Sequence, residues 1–195
     1  MRCWVVVGRS ARASADFSLD DLPSTAGRLD VLLRCVRAGL LISDGVRRDT
    51  LVYLVLLGGP NAPRTLRFDG GQARYLRPDE RALANVVQKA LRHEAGVAFT
   101  ALRNGVSIAA GGLDAVLDDL PEGTTLHVLD AEGPDLRAAV LGPGPHAFFV
   151  GDALGLDAGA RHALAHARPV SLGPVSLHAD DAIAVATNEL DRRGL

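Results

Sequence analysis

Several common kinds of site are missing from this chain of 195 residues. No G-x-G-x-x-G follows a strand-like run and there is no Walker A sequence. That argues against the usual dinucleotide and nucleoside-triphosphate cradles. No G-x-S-x-G appears, so a hydrolase nucleophile elbow is not expected. Two cysteines and six scattered histidines offer no metal-ligand spacing. His162 and His166 stand four apart in a helix-like run, but without flanking acids. Aromatics make up only 4% of the chain, so the core must be built from Leu, Val and Ala. The apolar runs "WVVVG" and "LVYLVLLGG" are too short for a secretion signal or a membrane span. Cys3 and Cys35 fall in runs that read as a buried strand and a helix, where free thiols are expected. They predict a reducing, cytoplasmic setting.

What is present begins with size. A chain of this length buries roughly 70% of its unfolded surface and needs no disulfide or metal for stability. Its charge is unevenly spread. Residues 1–103 carry 15 Arg and 1 Lys against 10 acids, a net +6, while residues 104–195 carry 5 Arg against 13 acids, a net −8. Such asymmetry points to a polyanion partner such as RNA, or to two solvated faces that merely differ. The preponderance of Arg suits phosphate, because its planar fork donates in pairs.

Strand-like and helix-like runs alternate along the chain. "RCWVVVG" and "TLVYLVLLGG" read as buried strands. Between them lie a long polar loop and a helix over residues 28–43, with apolar residues at 29, 32, 33, 36, 40 and 41 and Ser24 or Thr25 as its cap. Asp-Gly-Gly in "TLRFDGGQARYL" is a hairpin signal. Residues 77–96 read as a helix with Asp79 and Glu80 at its positive end. "GLDAVLDDL" reads as a short helix. "TTLHVLD", "HAFFVGD" and "ARPVSLG" read as strands, with a helical stretch before the third. A last helix runs from about Ala179 to Arg193. This alternation predicts an α/β fold with a mostly parallel sheet.

The stretch "SLGPVSLHADD" places a Gly-Pro turn between the last strand and the last helix. With "HVLDAEG" and "FFVGDALG" it makes three turns at strand ends. In open α/β sheets ligands bind outside the carboxyl ends of strands. The three are either ordinary connections or the wall of one cleft.

"SLGPVSLHADDAIAVATNELDR" closely resembles the C-terminal signature of the archaeal-type tRNA pseudouridine N1-methyltransferase family of the SPOUT superfamily. "DFSLDDLPSTAGRLDVLLRCV", "LRPDERALANVVQKAL", "GVSIAAGGLDAVLDDL" and "FFVGDALGL" resemble other parts of it, in order along nearly the whole chain. The resemblance implies one SPOUT domain over residues 1–195, with a C-terminal trefoil knot and cofactor site at about 124–195. It implies a homodimer that binds S-adenosylmethionine and no metal. Carried over to this chain, the cofactor residues are Leu129, Gly151, Leu172, Gly173, Pro174, Leu177 and Ala182. Arg28, Arg34, Asp79 and Arg81 become substrate-contact candidates, and Asp30 a residue that positions or deprotonates the base.

The implied reaction is methylation of N1 of pseudouridine in RNA, at position 54 of the tRNA T-loop. Another RNA, a free modified nucleoside, or binding without catalysis are the alternatives. The chain departs from the family pattern in places. Asp44 stands for a His and Ala182 for a frequent Cys. Ser107, Ala110 and Gly111 stand where relatives have His and Arg, which removes phosphate contacts and lowers the expected affinity for RNA.

Overall fold

The apolar run at the start becomes β1 (Arg2–Arg12), which is held between parallel neighbours on both edges. Trp4 and Val6 enter one hydrophobic cluster and Cys3, Val5 and Val7 enter another. Successive strand residues point to opposite faces, so a strand buried on both faces must be apolar throughout. The computed structural model describes all 195 residues.

Around β1 stand β2 (Leu41–Ile42), β3 (Gly45–Val46), β4 (Thr50–Gly58), β5 (Arg64–Asp69), β6 (Thr100–Ala101), β7 (Val106–Ala110), β8 (Thr125–Leu129), β9 (His146–Gly151) and β10 (Arg168–Val170). The helices are α1 (Leu22–Thr25), α2 (Leu29–Leu40), α3 (Glu80–Leu91), α4 (Leu113–Asp119), α5 (Ala158–Ala163) and α6 (Ala179–Arg192). β2 and β3 pair only with each other. The remaining strands form one sheet in the order β10-β8-β9-β1-β4-β5-β7-β6. From β10 to β4 every pairing is parallel; β5, β7 and β6 add antiparallel pairings. The α/β expectation with a mostly parallel sheet is met.

The larger cluster lies on the sheet face covered by α2, α3 and α6. α2 alone buries Leu29, Leu32, Leu33, Val36 and Leu40 completely, worth on the order of 10 kcal/mol of transfer free energy. The smaller cluster takes Val116 of α4 and Leu164 just after α5 on the opposite face. Cys3 and Cys35 are buried and free, as expected. Burial pushes the Cys3 thiol up to about 12. No helix is long and apolar enough to cross a membrane.

Several local expectations differ from the structure. The Asp-Gly-Gly segment turns the chain but makes no hairpin. β5 pairs instead with β4 and β7, because Gly70 N–H is taken by the Thr50 carbonyl. Ser24 and Thr25 belong to the separate turn α1, and α2 begins at Arg28 in a left-handed conformation with no side-chain cap. That helix ends at Leu40, where the small β2–β3 ladder takes over. α3 ends at Leu91, short of Gly96. The polar loop after residue 8 is partly strand and contributes buried Ala11, Ala13 and Phe17. α5 stops at Ala163, so His166 lies beyond it and the helical spacing with His162 is lost.

Candidate functional site

Two sites grow out of this frame. The first lies at the carboxyl ends of β8, β9 and β10. A hollow of about 100 Å³ is lined there by Leu129, Val150, Val170, Leu172, Leu177 and Ala182, with Asp130 and Gly173 among its polar and main-chain walls. The three strand-end turns therefore converge. Of the seven predicted cofactor residues, Leu129, Leu172, Gly173, Leu177 and Ala182 line the hollow. Gly151 and Pro174 do not line it, but each directly adjoins a residue that does.

Gly151 shapes the second turn. A Cβ at this position would come within 2.5 Å of the Gly155 carbonyl carbon. Asp152 fastens the same turn, accepting from the main-chain N–H of Arg9 at 2.8 Å and of Leu154 at 2.9 Å. Gly173 is required for a different reason. Its φ is +128°, a region L-residues avoid, while the space beside it is open. The Ser171 hydroxyl fixes this turn, donating to the Gly173 carbonyl and accepting from its N–H. From Val175 to Leu177 the main chain makes no hydrogen bond within the molecule. Apolar walls with free main-chain donors and acceptors fit a purine nucleoside, whose faces are apolar and whose edge is polar. Ligand pockets usually measure about 300–1,000 Å³, so this hollow suits one part of a nucleoside cofactor, with the remainder on its open side.

The second site is a charged cluster between helices. Asp30 is buried at 3% exposure, in the first turn of α2. Arg28 grips it with two parallel hydrogen bonds, Nε to Oδ1 at 3.0 Å and Nη2 to Oδ2 at 3.1 Å. A spacing of two residues does not share a helix face. Arg28 reaches Asp30 because it precedes the helix, with φ of +63°. Arg34 donates to Asp30 Oδ2 at 3.1 Å, to Glu80 of α3 at 3.3 Å and to Asp180 of α6 at 3.2 Å. One guanidinium thus ties three helices together. Burial acts to raise the Asp30 carboxyl, but the hydrogen bonds and charges of Arg28 and Arg34 outweigh it and leave it below the ordinary value. The second oxygen of Asp180 is buried without a hydrogen-bond partner.

Asp79 caps α3, accepting from the Ala82 N–H at 2.7 Å. Arg81 is exposed and pairs with Asp20. Neither joins the Asp30 cluster. Glu80 and Asp180 do; the sequence places Glu80 only at the positive end of its helix and gives Asp180 no role. Their sole local signal was an acid in a first helical turn, which capping explains as well.

The fold and the two sites bear comparison with known proteins. A family described as SAM-dependent RNA methyltransferases matches residues 1–195. The chain belongs to this family. A tRNA (pseudouridine(54)-N(1))-methyltransferase of Methanosarcina acetivorans is 41% identical over 98% of this chain and 92% of its own. The protein of the same name from Halobacterium salinarum is 42% identical over 100% and 98%. The crystal structure of Archaeoglobus fulgidus Nep1 bound to S-adenosylhomocysteine matches with TM-score 0.67 at 16% identity, covering 99% of both chains. At that identity the likeness shows the fold. The hollow and the arginine-carboxylate cluster share one helix. α6 links them, carrying Ala182 at the hollow and Asp180 at Arg34.

Proposed function

We propose that this protein transfers a methyl group from S-adenosylmethionine to N1 of pseudouridine at position 54 of tRNA. The strongest support is identity of about 40% over nearly the whole chain with proteins named for that reaction. The cofactor supplies an electrophilic methyl group carried on a sulfonium. The turn residues Leu172, Gly173, Pro174 and Leu177, with Leu129, Gly151 and Ala182, hold it by shape and main-chain contacts. Pseudouridine is joined to its sugar through carbon, so N1 carries a proton and is free to accept the methyl as that proton leaves. The target base must be splayed out of the RNA to reach the site. Holding donor and acceptor aligned in a dry cleft is the main catalytic contribution.

Asp30 acts by position. It is ionised and covered, with only 4% of its side chain exposed, and it orients Arg28, whose side chain is 54% exposed. Arg28, with Arg34 behind it, meets the RNA. Asp79 and Arg81 sit at the start of α3 and extend that contact.

Residues 1–195 act as one SPOUT domain, with the knot and cofactor site at about 124–195. Ser171 is hydrogen-bonded to Pro134 and Leu136, and Arg193 beyond α6 donates to the carbonyls of Leu136 and Ala139. The same loop is thus held on both sides of α6, as a threaded C-terminal segment requires. A homodimer would cover the exposed Val140, Leu154, Val175 and Val185. The free thiols favour the cytoplasm.

The deciding experiment incubates the protein and S-adenosylmethionine with tRNA carrying pseudouridine or uridine at position 54. Nucleoside mass spectrometry should find N1-methylpseudouridine only in the first. Its absence overturns the proposal, and methylation of free pseudouridine alone would move the activity to the nucleoside.

A further inference from the structure

A hollow of about 1260 Å³ belongs to neither site described above. α3 gives it Ala82, Asn85, Val86, Lys89 and Ala90, and His93 follows just past the helix end. The α3 residues recur at intervals of three and four, so they form one helix face. Tyr75 and Arg77 from the segment before α3, and Arg103 from the β6–β7 turn, complete it.

Its charge is one-sided. Arg77, Lys89, Arg92 and Arg103 line it, all exposed, and no Asp or Glu does. Elsewhere in the basic half, Arg2, Arg12, Arg28, Arg34, Arg47 and Arg67 each hold a carboxylate. The four cations of the groove hold none; Arg9, Arg37, Arg48, Arg64 and Arg74 also hold none, but here four such cations line one hollow. The excess of positive charge is therefore unneutralised here, where a polyanion gains most.

Tyr75 adds a second feature. It is 90% exposed, with a φ of +56°. A bulky residue in that region carries about 1–3 kcal/mol of strain, and no burial offsets it. An exposed aromatic ring beside unpaired cations is the arrangement that stacks an unpaired base.

We propose that this groove binds the RNA backbone flanking the target nucleotide, with Tyr75 stacked on an unpaired base. α3 has 12 residues and so runs for about 18 Å, on the order of five nucleotide steps at ~3.4 Å each. It starts at Glu80, against Arg34, so the groove continues away from the Asp30 cluster. Ser107 of β7 does not contribute. It is buried and accepts from Arg67, so the side-chain losses on β7 are matched by cations on α3 and the β6–β7 turn. The identity of the RNA rests on the function proposed above; the groove itself does not.

The test measures tRNA affinity without cofactor across a range of salt, for wild type, Lys89→Ala, Arg103→Ala, the double variant and Tyr75→Ala. Each lost phosphate contact should flatten the slope of log affinity against log salt by about 0.7–0.9. Tyr75→Ala should weaken binding about 5- to 100-fold with the slope unchanged, and Tyr75→Phe should restore it. All the substituted residues are exposed, so melting temperatures should not fall, which is checked directly. Tyr75→Gly should bind poorly while melting higher. In methyl transfer the double variant should raise KM and leave kcat. Slopes and affinities unchanged in every variant would overturn the proposal and leave the groove to a protein partner. Altered slopes in a protein that methylates no tRNA would keep the groove and remove the proposed reaction. Methylation with unaltered slopes and KM would do the reverse.

Discussion

The hollow at the strand ends and the Asp30 cluster are made in opposite ways. The hollow is main chain and apolar surface, set by where β8, β9 and β10 end. The cluster is five charged side chains from the start of α2, α3 and α6, one of them nearly fully buried. The first site should forgive changes of side chain and punish changes of backbone. The second should respond to the loss of a few atoms. A cofactor recognised by shape needs only the turns, whereas an RNA recognised by charge needs cations held at fixed positions.

Removing the buried acid should have the largest effect. Asp30→Ala leaves Arg28 without a partner and Arg34 with two of three. We expect kcat/KM for tRNA to fall at least about 100-fold, with stability lower by about 2 kcal/mol. S-adenosylmethionine affinity should change less than about threefold. Asp30→Asn, which keeps hydrogen bonds but loses charge, should recover part of the activity with the same pH profile. A lost acidic limb in Asp30→Asn would make Asp30 the proton acceptor instead. Equal losses of cofactor and tRNA affinity would merge the two sites.

The backbone side is probed by Gly151→Ala. The new methyl group meets the Gly155 main chain, which cannot swing aside as a side chain does. We expect about 2–3 kcal/mol of destabilisation and at least a tenfold loss of S-adenosylmethionine affinity by calorimetry. tRNA affinity measured without cofactor should hold. A Gly151→Ala protein that binds cofactor normally would show that the second turn takes no part.

Acid should separate the regions again. Burial first, then the charge of His146, holds His127 down to about 4. Folding thus favours its neutral form. The stability this contributes is complete above pH 6.5 and is lost as pH falls towards 4, about 3 kcal/mol in all. Asp30 works at lower pH, because its depressed value keeps its contribution until pH falls below the ordinary carboxylate range. Hydrogen-exchange protection factors along β8 and β9 should therefore fall between pH 6.5 and 4 while those of α2 hold. His127→Gln should abolish the difference. Simultaneous loss of protection would mean that the two regions unfold as one unit.

The same contrast explains what was legible in the sequence. The turns could be read, because Leu172, Gly173 and Leu177 are contiguous with a strand end and a helix start. Periodicity also gave the sheet, since β1 and β4 are continuous apolar runs. The cluster was legible only at Asp30 and Arg34, which are helical neighbours. Arg28 meets Asp30 outside helical spacing, because the chain enters the helix left-handed. Glu80 and Asp180 lie 46 and 146 residues from Arg34, and no local pattern carries such a meeting. The expected Asp-Gly-Gly hairpin failed for a related reason: β5 found its second partner in β7, far along the chain, over the segment that immediately follows it.

The smallest effect should come from the departure at position 182. Ala182 lines the hollow from the first turn of α6 at 7% exposure, where the family pattern often has Cys. If the hollow binds by main chain and shape, one sulfur atom at its wall changes contact area slightly and removes no donor or acceptor. Ala182→Cys should then alter S-adenosylmethionine affinity less than about threefold and stability by less than about 1 kcal/mol. Calorimetry and thermal melting measure both. A tenfold gain would show that a side chain, rather than the turn, had been gripping the cofactor at this point. The division between a main-chain site and a side-chain site would then have to be redrawn through α6, the one helix that serves both.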